Sequence, residues 1–132
     1  MNDERWYLDS SALIKRVISE PESAALTAWM ADVTNLAACD LVRVETVRAI
    51  RRHDETALSQ LNEMIDSLDL IALDLEIYRA AAALDQPRVR SLDAIHLAAA
   101  LSIASDLAGI VTYDQRMSEA AVLLGLRVEA PK

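Results

Sequence analysis

The stretch WYLDSSALIK, residues 6–15, joins a short hydrophobic run to a helical pattern, and the residue at the junction is Asp9. The apolar residues before the junction predict a buried strand over 5–8, and the pattern after it predicts a helix over 11–18. A buried carboxylate costs free energy unless something pairs with it. The junction therefore raises the question of what Asp9 meets in the folded chain.

Strands and helices alternate along the rest of the sequence. The predicted strands are 5–8, 35–39, 68–73, 110–113 and 126–130, and the predicted helices are 11–18, 22–33, 41–53, 56–67, 74–84, 92–107 and 114–124. Several strands are wholly apolar, which is typical of a parallel sheet with both faces covered. We therefore expect an α/β fold of three layers, with a central parallel sheet of about five strands flanked by helices, in one domain over 1–132.

Local signals mark the ends of several helices. Pro21 separates the first two helices, Gly109 is expected to end the longest helix, and Gly125 is expected to end the last one. Asp40 and Asp74 each stand just before a helical pattern, so we expect both side chains to act as N-caps.

Charge and composition narrow the classes of function. The 132 residues include 13 Lys and Arg against 21 Asp and Glu, a net charge of −8, which argues against a broad basic face for nucleic acid. Contact with nucleic acid would need a local basic patch or a bound cation. No apolar run approaches the roughly 20 residues of a membrane helix. The acidic start MNDERW is unlike a secretory signal, and Cys39 is alone, so we expect a cytoplasmic protein with Cys39 in its core.

Four acidic residues are expected at one edge of the sheet. Asp9 closes the first strand, and Asp114 follows the fourth strand by one residue. Asp93 lies in the first turn of the helix that leads into the fourth strand, and Glu45 lies in the second turn of the third helix. In an α/β layer, the N-termini of helices lie at the same edge as the C-termini of parallel strands, where such folds carry their sites. Acids that are distant in sequence can therefore meet there.

Carboxylates that converge repel one another, so a cluster is stable only if it shares protons or binds a cation. Oxygen ligands favour Mg²⁺ or Mn²⁺, and no His or Cys pair stands at the spacing of a zinc site. A divalent ion held in this way acidifies water and stabilises charge on phosphate oxygens. The pattern therefore points to hydrolysis of a phosphodiester.

Each acid also has an ordinary structural alternative. Asp9 and Asp114 could serve as helix caps or turn residues. Asp93 could interact with a helix dipole, and Glu45 could pair with Arg48 on a solvated helix face. The four acids together point to a site because they share one edge of the sheet.

Four segments of the chain resemble the PIN-domain ribonucleases, and specifically the VapC-type toxins of VapBC toxin–antitoxin pairs. These segments are LDSSALIK at 8–15, RVETVRAIRR at 43–52, SLDAIHLAAA at 91–100 and IVTYDQRM at 110–117. The match spans nearly the whole chain in the right order. The resemblance implies a five-stranded parallel sheet and a metal-dependent endoribonuclease that acts as a toxin.

The resemblance also implies roles for particular residues. Asp9, Glu45, Asp93 and Asp114 would form the catalytic site and bind Mg²⁺ or Mn²⁺, with Asp114 the more variable of the four. Ser11 matches a small hydroxyl residue beside the metal, and Thr112 matches a hydroxyl before the final acid. His96, one helical turn after Asp93, is expected to be a packing or hydrogen-bonding residue rather than a general base.

The resemblance further implies an RNA substrate, a homodimer and a VapB-type antitoxin that wraps the helical surface, whose arginine often reaches the acidic site. The groove for it would lie on helices 11–18, 22–33 and 41–53. Arg48, Arg90 and Arg116 stand near the acids and are candidates to contact RNA phosphates, although a solvated helix face with internal ion pairs is the alternative.

Other classes fit the sequence less well. A phosphoacceptor receiver domain needs a pair of acids after the first strand and a late lysine, but no lysine lies between Lys15 and Lys132. A haloacid-type phosphohydrolase needs an acid where Ser11 stands, and nucleotide-binding loops need more than two glycines. A catalytically inert PIN-like binding module stays open as an alternative.

Overall fold

Five strands and seven α-helices alternate along the chain in the computed structural model, which describes the backbone of residues 2–132 and side chains from residue 4 onward. The strands are β1 (Asn2–Leu8), β2 (Val33–Cys39), β3 (Asp69–Ile71), β4 (Leu107–Val111) and β5 (Arg127–Glu129). The helices are α1 (Ser10–Val17), α2 (Ser23–Ala31), α3 (Val42–His53), α4 (Leu58–Asp66), α5 (Leu75–Ala83), α6 (Ser91–Ser102) and α7 (Gln115–Leu123).

The five strands form one parallel sheet in the order β3-β2-β1-β4-β5. β1 is central, and the chain builds outward from it first through β2 and β3, then on the other side through β4 and β5. This reversal places a topological switch point at the carboxyl end of β1, between β1 and β4. The predicted fold class is confirmed.

Helices cover both faces of the sheet. Successive residues of β1 point to opposite faces, so they pack into two different cores. Tyr7 packs into a core that includes residues of α5, α6 and α7. Trp6 and Leu8 pack into a second core with residues of α1, α2 and α3. The ring of Trp6 also meets Trp29 edge to face, with 5.1 Å between ring centroids. The end of the central strand is thus fully buried, which fixes the position of Asp9 directly after it.

The predicted helix over 92–107 is too long, and the interpretation of Gly109 is wrong. α6 ends at Ser102, and Gly109 lies inside β4 rather than at the end of a helix. A Cβ atom at Gly109 would stand 2.5 Å from the carbonyl oxygen of Arg127 and 2.7 Å from the ring of Trp6. Gly109 therefore serves the close approach of β4 to its neighbours, which is a common reason for glycine in a strand.

Other ends differ from the expectations in smaller ways. Asp40 does not cap α3, whose N-cap is Leu41; its carboxylate pairs instead with Arg43, at 3.3 Å between Oδ1 and Nε. Asp74 does cap α5 and accepts a hydrogen bond from the Ile77 amide at 2.9 Å. Within residues 2–132, no helix has the length and apolar character needed to span a bilayer.

Candidate active site

The four predicted acids all lie at the carboxyl edge of the sheet. Asp9 follows β1 directly, and Asp114 stands before α7, three residues beyond β4. Glu45 lies in the first turn of α3, which follows β2, and Asp93 lies in the first turn of α6. The edge placement expected from the sequence is therefore present in the fold.

Asp9 is buried, with a relative exposure of 3%, and several hydrogen bonds converge on it. Its Oδ1 accepts from the Ser11 hydroxyl at 2.6 Å and from the Ala12 amide at 3.1 Å, which also makes it the N-cap of α1. Its Oδ2 accepts from the hydroxyl of Thr112. Burial nonetheless raises the pKa of Asp9, because these hydrogen bonds offset only part of the loss of solvation. The pairing that the sequence left open is supplied here by hydroxyls and a backbone amide.

Thr112 and Ser11 link Asp9 to the segment that carries Asp114. The Thr112 oxygen accepts a hydrogen bond from the Asp114 amide at 3.1 Å, and the Ser11 oxygen accepts one from the Tyr113 amide at 3.0 Å. Asp114 in turn caps α7, since its Oδ1 accepts from an amide in the first turn of that helix at 2.9 Å. Both hydroxyl residues that the family resemblance singled out thus tie the ends of β1 and β4 together.

Glu45 is held by two side chains from other elements. Its Oε1 accepts from the Ser10 hydroxyl at 2.6 Å and from His96 Nε2 at 2.7 Å. Burial acts to raise the pKa of Glu45, but the hydrogen bonds and charge of its partners outweigh burial and lower it overall. The alternative of a surface pair with Arg48 is not what the structure shows. Sequence reasoning missed Ser10, although it stands beside Ser11 in the same motif.

His96 lies in a buried polar network beneath this edge. Its Nδ1 is 2.7 Å from the Tyr7 hydroxyl and 3.8 Å from the sulfur of Cys39. Burial acts to lower the pKa of His96, but Cys39 and Glu45 outweigh burial and raise it above the ordinary range. The expectation of a hydrogen-bonding role for His96 is confirmed, and Cys39 is fully buried as expected.

Asp93 stands apart from the other acids in its contacts. Its Oδ2 accepts from the Arg90 amide at 3.3 Å, which closes the first turn of α6. It lies on the same helix as His96, three residues earlier and therefore on a similar face. In the described part of the chain, Asp93 shares no hydrogen-bonding partner with Asp9, Glu45 or Asp114.

The donor set suits a hard divalent cation, although the acids are not drawn into a closed ligand cluster. Among the side chains of residues 4–132, no three Asp, Glu, His or Cys groups stand close enough together to hold an ion as they are placed. Over the same residues, the hydrogen bonds to Glu45, Asp93 and Asp114 engage one oxygen of each carboxylate, Oε1, Oδ2 and Oδ1 respectively. The second oxygen of each therefore stays available, and carboxylate oxygens are the ligands that Mg²⁺ and Mn²⁺ prefer.

The three arginines predicted to contact RNA differ in exposure and in their contacts with the acids. Arg48 and Arg90 are exposed, whereas the Arg116 side chain is 30% exposed. The Arg116 Nε lies 3.9 Å from Asp114 Oδ1, a weak ion pair at the site itself. The side chain of Arg116 therefore forms an ion pair with a predicted acid, whereas Arg90 contacts Asp93 through its backbone amide.

Sequence comparisons identify relatives of this chain. The family model described as the PIN domain matches residues 6–123. The chain is 43% identical over 129 residues to a protein named Ribonuclease VapC35 from Mycobacterium tuberculosis, covering 95% of this chain and 96% of that one.

Two solved structures share the fold. The structure of M. tuberculosis VapC20, described as a toxin that cleaves the sarcin–ricin loop, superposes with a TM-score of 0.73 at 12% identity and covers 87% of this chain and 94% of its own. A toxin–antitoxin complex from Klebsiella pneumoniae gives a TM-score of 0.71 at 20% identity, covering 96% of this chain and 97% of its own.

Proposed function

This chain belongs to the PIN domain family, and we propose that it is a metal-dependent endoribonuclease that acts as the toxin of a VapBC-type toxin–antitoxin pair. The observation that carries the proposal is the 43% identity to a protein named a ribonuclease, which extends over 95% of the chain. The carboxyl edge of the sheet supports it, because it carries four acids from different segments of the chain, one of them a buried carboxylate at the switch point.

Asp9, Glu45, Asp93 and Asp114 would hold the ion, which we propose to be Mg²⁺ or Mn²⁺, and which when bound acidifies a water and stabilises negative charge on the phosphate. The chain's own residues prepare the site. Ser11 and Thr112 fix Asp9, and Ser10 with His96 fixes one oxygen of Glu45. These contacts hold two acids in place before any ligand arrives, which lowers the cost of organising the site.

Arg48, Arg90 and Arg116 are proposed to contact RNA phosphates on the way to the acids. The net charge of −8 argues against a wide basic surface, so binding has to rely on a few local guanidinium groups and on the ion. Arginine suits this role because its planar fork matches the geometry of phosphate.

The proposed protein partner is a VapB-type antitoxin in the cytoplasm. A groove of about 440 Å³ runs between α1 and α2 and is lined by small and apolar side chains that include Val17, Ala24 and Ala28. Grooves of this kind accept a segment of a partner chain. We place the antitoxin on this groove, which lies on α1 and α2, two of the three helices expected to receive it.

We also propose a homodimer, formed through α5 and the start of α6. Leu75, Tyr78 and Leu92 are large apolar side chains that are between 47% and 61% exposed. Tyr78 borders a cavity of about 330 Å³ with Val89 and Ile95. An exposed apolar patch on a two-fold assembly would be covered by its own copy.

RNA cleavage by the purified chain tests the proposal. We expect the wild-type protein to cleave RNA when Mn²⁺ or Mg²⁺ is added and to lose that activity with a chelator. Asp9→Asn, which keeps the shape of the side chain, should fold and fail to cleave. A wild-type protein that binds RNA but never cuts it would favour the inert binding module instead.

A further inference from the structure

His96 occupies a position that the proposed reaction does not require, yet both sides of its ring are engaged. It is 2% exposed, and both ring nitrogens lie within hydrogen-bonding distance of a partner. Nε2 meets Glu45 and Nδ1 meets Tyr7, at 2.7 Å each. The three residues come from α6, α3 and β1, so the ring connects three elements at the edge that carries the acids.

The proton on the ring can be assigned from the chemistry of its partners. A carboxylate only accepts hydrogen bonds, so Nε2 carries the proton and donates it to Glu45 Oε1. This holds whether the ring is neutral or charged. The side chain of Tyr7, which is fully buried, fixes the other side of the ring, and its own ring packs edge-on against the imidazole with 5.9 Å between centroids. The imidazole is therefore held in one orientation by Tyr7 and presents one N–H to Glu45.

The consequence for Glu45 is that its long side chain has lost most of its freedom. Ser10 and His96 converge on the same oxygen, Oε1, which leaves Oε2 as the oxygen available to a ligand. A free glutamate at the start of a helix samples several rotamers, and ordering it costs side-chain entropy. Here that cost is met during folding, before an ion binds.

We propose that His96, oriented by Tyr7, is a positioning residue that clamps Glu45 Oε1 and thereby directs Oε2 to the divalent cation. The inference rests on the proposed metal site and adds a residue that the family resemblance did not assign to it. Hydrogen-bonded partners behind a metal ligand typically contribute about 10- to 100-fold in metal affinity. His96 therefore acts through Glu45 and does not itself contact the metal or the RNA.

Two substitutions at His96 distinguish the effect of its hydrogen bond to Glu45 from the effect of packing. His96→Gln places an amide nitrogen near the position of Nε2, so it can still donate to Glu45 while losing the contact with Tyr7. His96→Asn is shorter, so its amide reaches only toward Tyr7 and leaves Glu45 without that donor. Both replace a buried ring by a smaller side chain, and so a loss of packing alone would affect both.

The measurement is the affinity of the purified protein for Mn²⁺, followed by calorimetry or by the electron paramagnetic resonance of free Mn²⁺, with circular dichroism to establish that each variant is folded. We expect His96→Asn to weaken Mn²⁺ binding by about 10-fold or more and His96→Gln to stay close to wild type. Tyr7→Phe should give a smaller loss, because the ring is then less well oriented. His53→Gln, at the exposed end of α3, is the matched control and should change nothing.

A double substitution shows whether the effect passes through Glu45. In a Glu45→Gln background, His96→Asn should cause no further loss of Mn²⁺ affinity. A folded His96→Asn protein that binds Mn²⁺ as tightly as wild type would overturn the inference, as would equal losses in the Asn and Gln variants. RNA cleavage is scored separately: a wild-type protein that binds Mn²⁺ but does not cleave RNA would refute the proposed function while leaving the clamp supported. A wild-type protein that does not bind Mn²⁺ would overturn both.

Discussion

The hydroxyl of Thr112 donates a hydrogen bond to the carboxylate of Asp9, although 103 residues separate them in the chain. Thr112 follows β4 and Asp9 follows β1, so this bond joins the two strands that flank the switch point. The same hydroxyl oxygen accepts from the Asp114 amide, which makes Thr112 the link between two of the proposed ligands.

Thr112→Val should therefore weaken both the fold and the proposed activity. Valine keeps the shape of threonine but leaves Asp9 and the Asp114 amide each short of a partner, and a buried group without its partner costs about 1–3 kcal/mol. Urea denaturation measures the free energy of unfolding. The control is Thr27→Val on the exposed surface of α2, which should stay within about 0.5 kcal/mol of wild type. Equal stability for Thr112→Val and wild type would contradict the role given to this hydroxyl.

Gly109→Ala should destabilise the sheet. Its Cβ would meet the backbone of Arg127 and the fully packed ring of Trp6, neither of which has room to move, and overpacking of this kind costs about 1–3 kcal/mol. Gly125→Ala is the comparison, because Gly125 has a φ of +86° but nothing within 4 Å of the added carbon. Its cost should come from backbone conformation alone, about 1–2 kcal/mol. Thermal and urea unfolding of both variants test this. Only Gly109→Ala should also disturb the near-ultraviolet signal of Trp6.

Gly109 also shows where sequence reasoning stops. The alternation of strands and helices and the apolar runs predict the parallel sheet, because those signals are local. The reason for a glycine at 109 is the approach of Trp6 and Arg127, which lie on the two neighbouring strands and are distant from it in sequence. The local sequence does not reveal the approach of these two residues. Taken alone, the pattern around Gly109 therefore favours the end of a helix, which is wrong.

The sequence likewise predicts part of the candidate site, and the rest depends on contacts between distant segments. The edge shared by Asp9, Glu45, Asp93 and Asp114 follows from the order of strands and helices. The partners of Glu45 do not, because an exposed arginine three residues away is the nearest candidate in sequence, whereas Ser10 and His96 come from other helices. Asp9 and Asp114 also cap helices, as their structural alternative expects, and Asp93 accepts a hydrogen bond in the first turn of α6. A local structural role and a ligand role are therefore compatible for one carboxylate.

The ion pair between Lys15 and Glu22 should make the fold less stable at acid pH than at neutral pH. The ammonium group of Lys15 is buried against Tyr113 and donates to Glu22 at 2.9 Å and to Glu20 at 3.3 Å. The hydrogen bond from Lys15 is the main reason that the pKa of Glu22 is lowered. A carboxyl whose pKa is lower in the folded protein stabilises the fold above its unfolded pKa, and this stability is lost as the pH falls through the folded pKa.

The measurement is the melting temperature between neutral pH and about pH 3, a window that spans the ordinary pKa of glutamate. Glu22→Gln should lower the melting temperature at neutral pH and should approach wild type at the acid end of the range. Glu63→Gln, on the exposed surface of α4, should follow the wild-type curve throughout. A constant offset between Glu22→Gln and wild type at every pH would contradict the ion pair as the cause.

Tyr78→Glu should convert the proposed homodimer into a monomer. The substitution places a charge in the middle of the exposed apolar patch on α5, and a charge buried without a partner in an interface is strongly unfavourable. Analytical ultracentrifugation gives the mass in solution. Gln60→Glu on α4 adds the same charge to an exposed position away from the patch and should leave the mass unchanged. A dimeric Tyr78→Glu protein would move the interface elsewhere, and a monomeric wild type would refute the dimer.

Arg116 should contribute to RNA binding through charge. We expect Arg116→Gln, measured in the Asp9→Asn background so that RNA is not cut, to bind RNA more weakly than Asp9→Asn alone, with the largest difference at low salt. Removing one arginine–phosphate pair with single-stranded RNA should make the slope of log affinity against log salt shallower by roughly 0.7. Arg48→Gln and Arg90→Gln should also make the slope shallower if these arginines contact phosphates. Arg79→Gln, on the exposed face of α5, is the control and should not change the slope. Fluorescence anisotropy over a salt series gives these slopes. An unchanged slope for Arg116→Gln would mean that its guanidinium serves only its ion pair with Asp114.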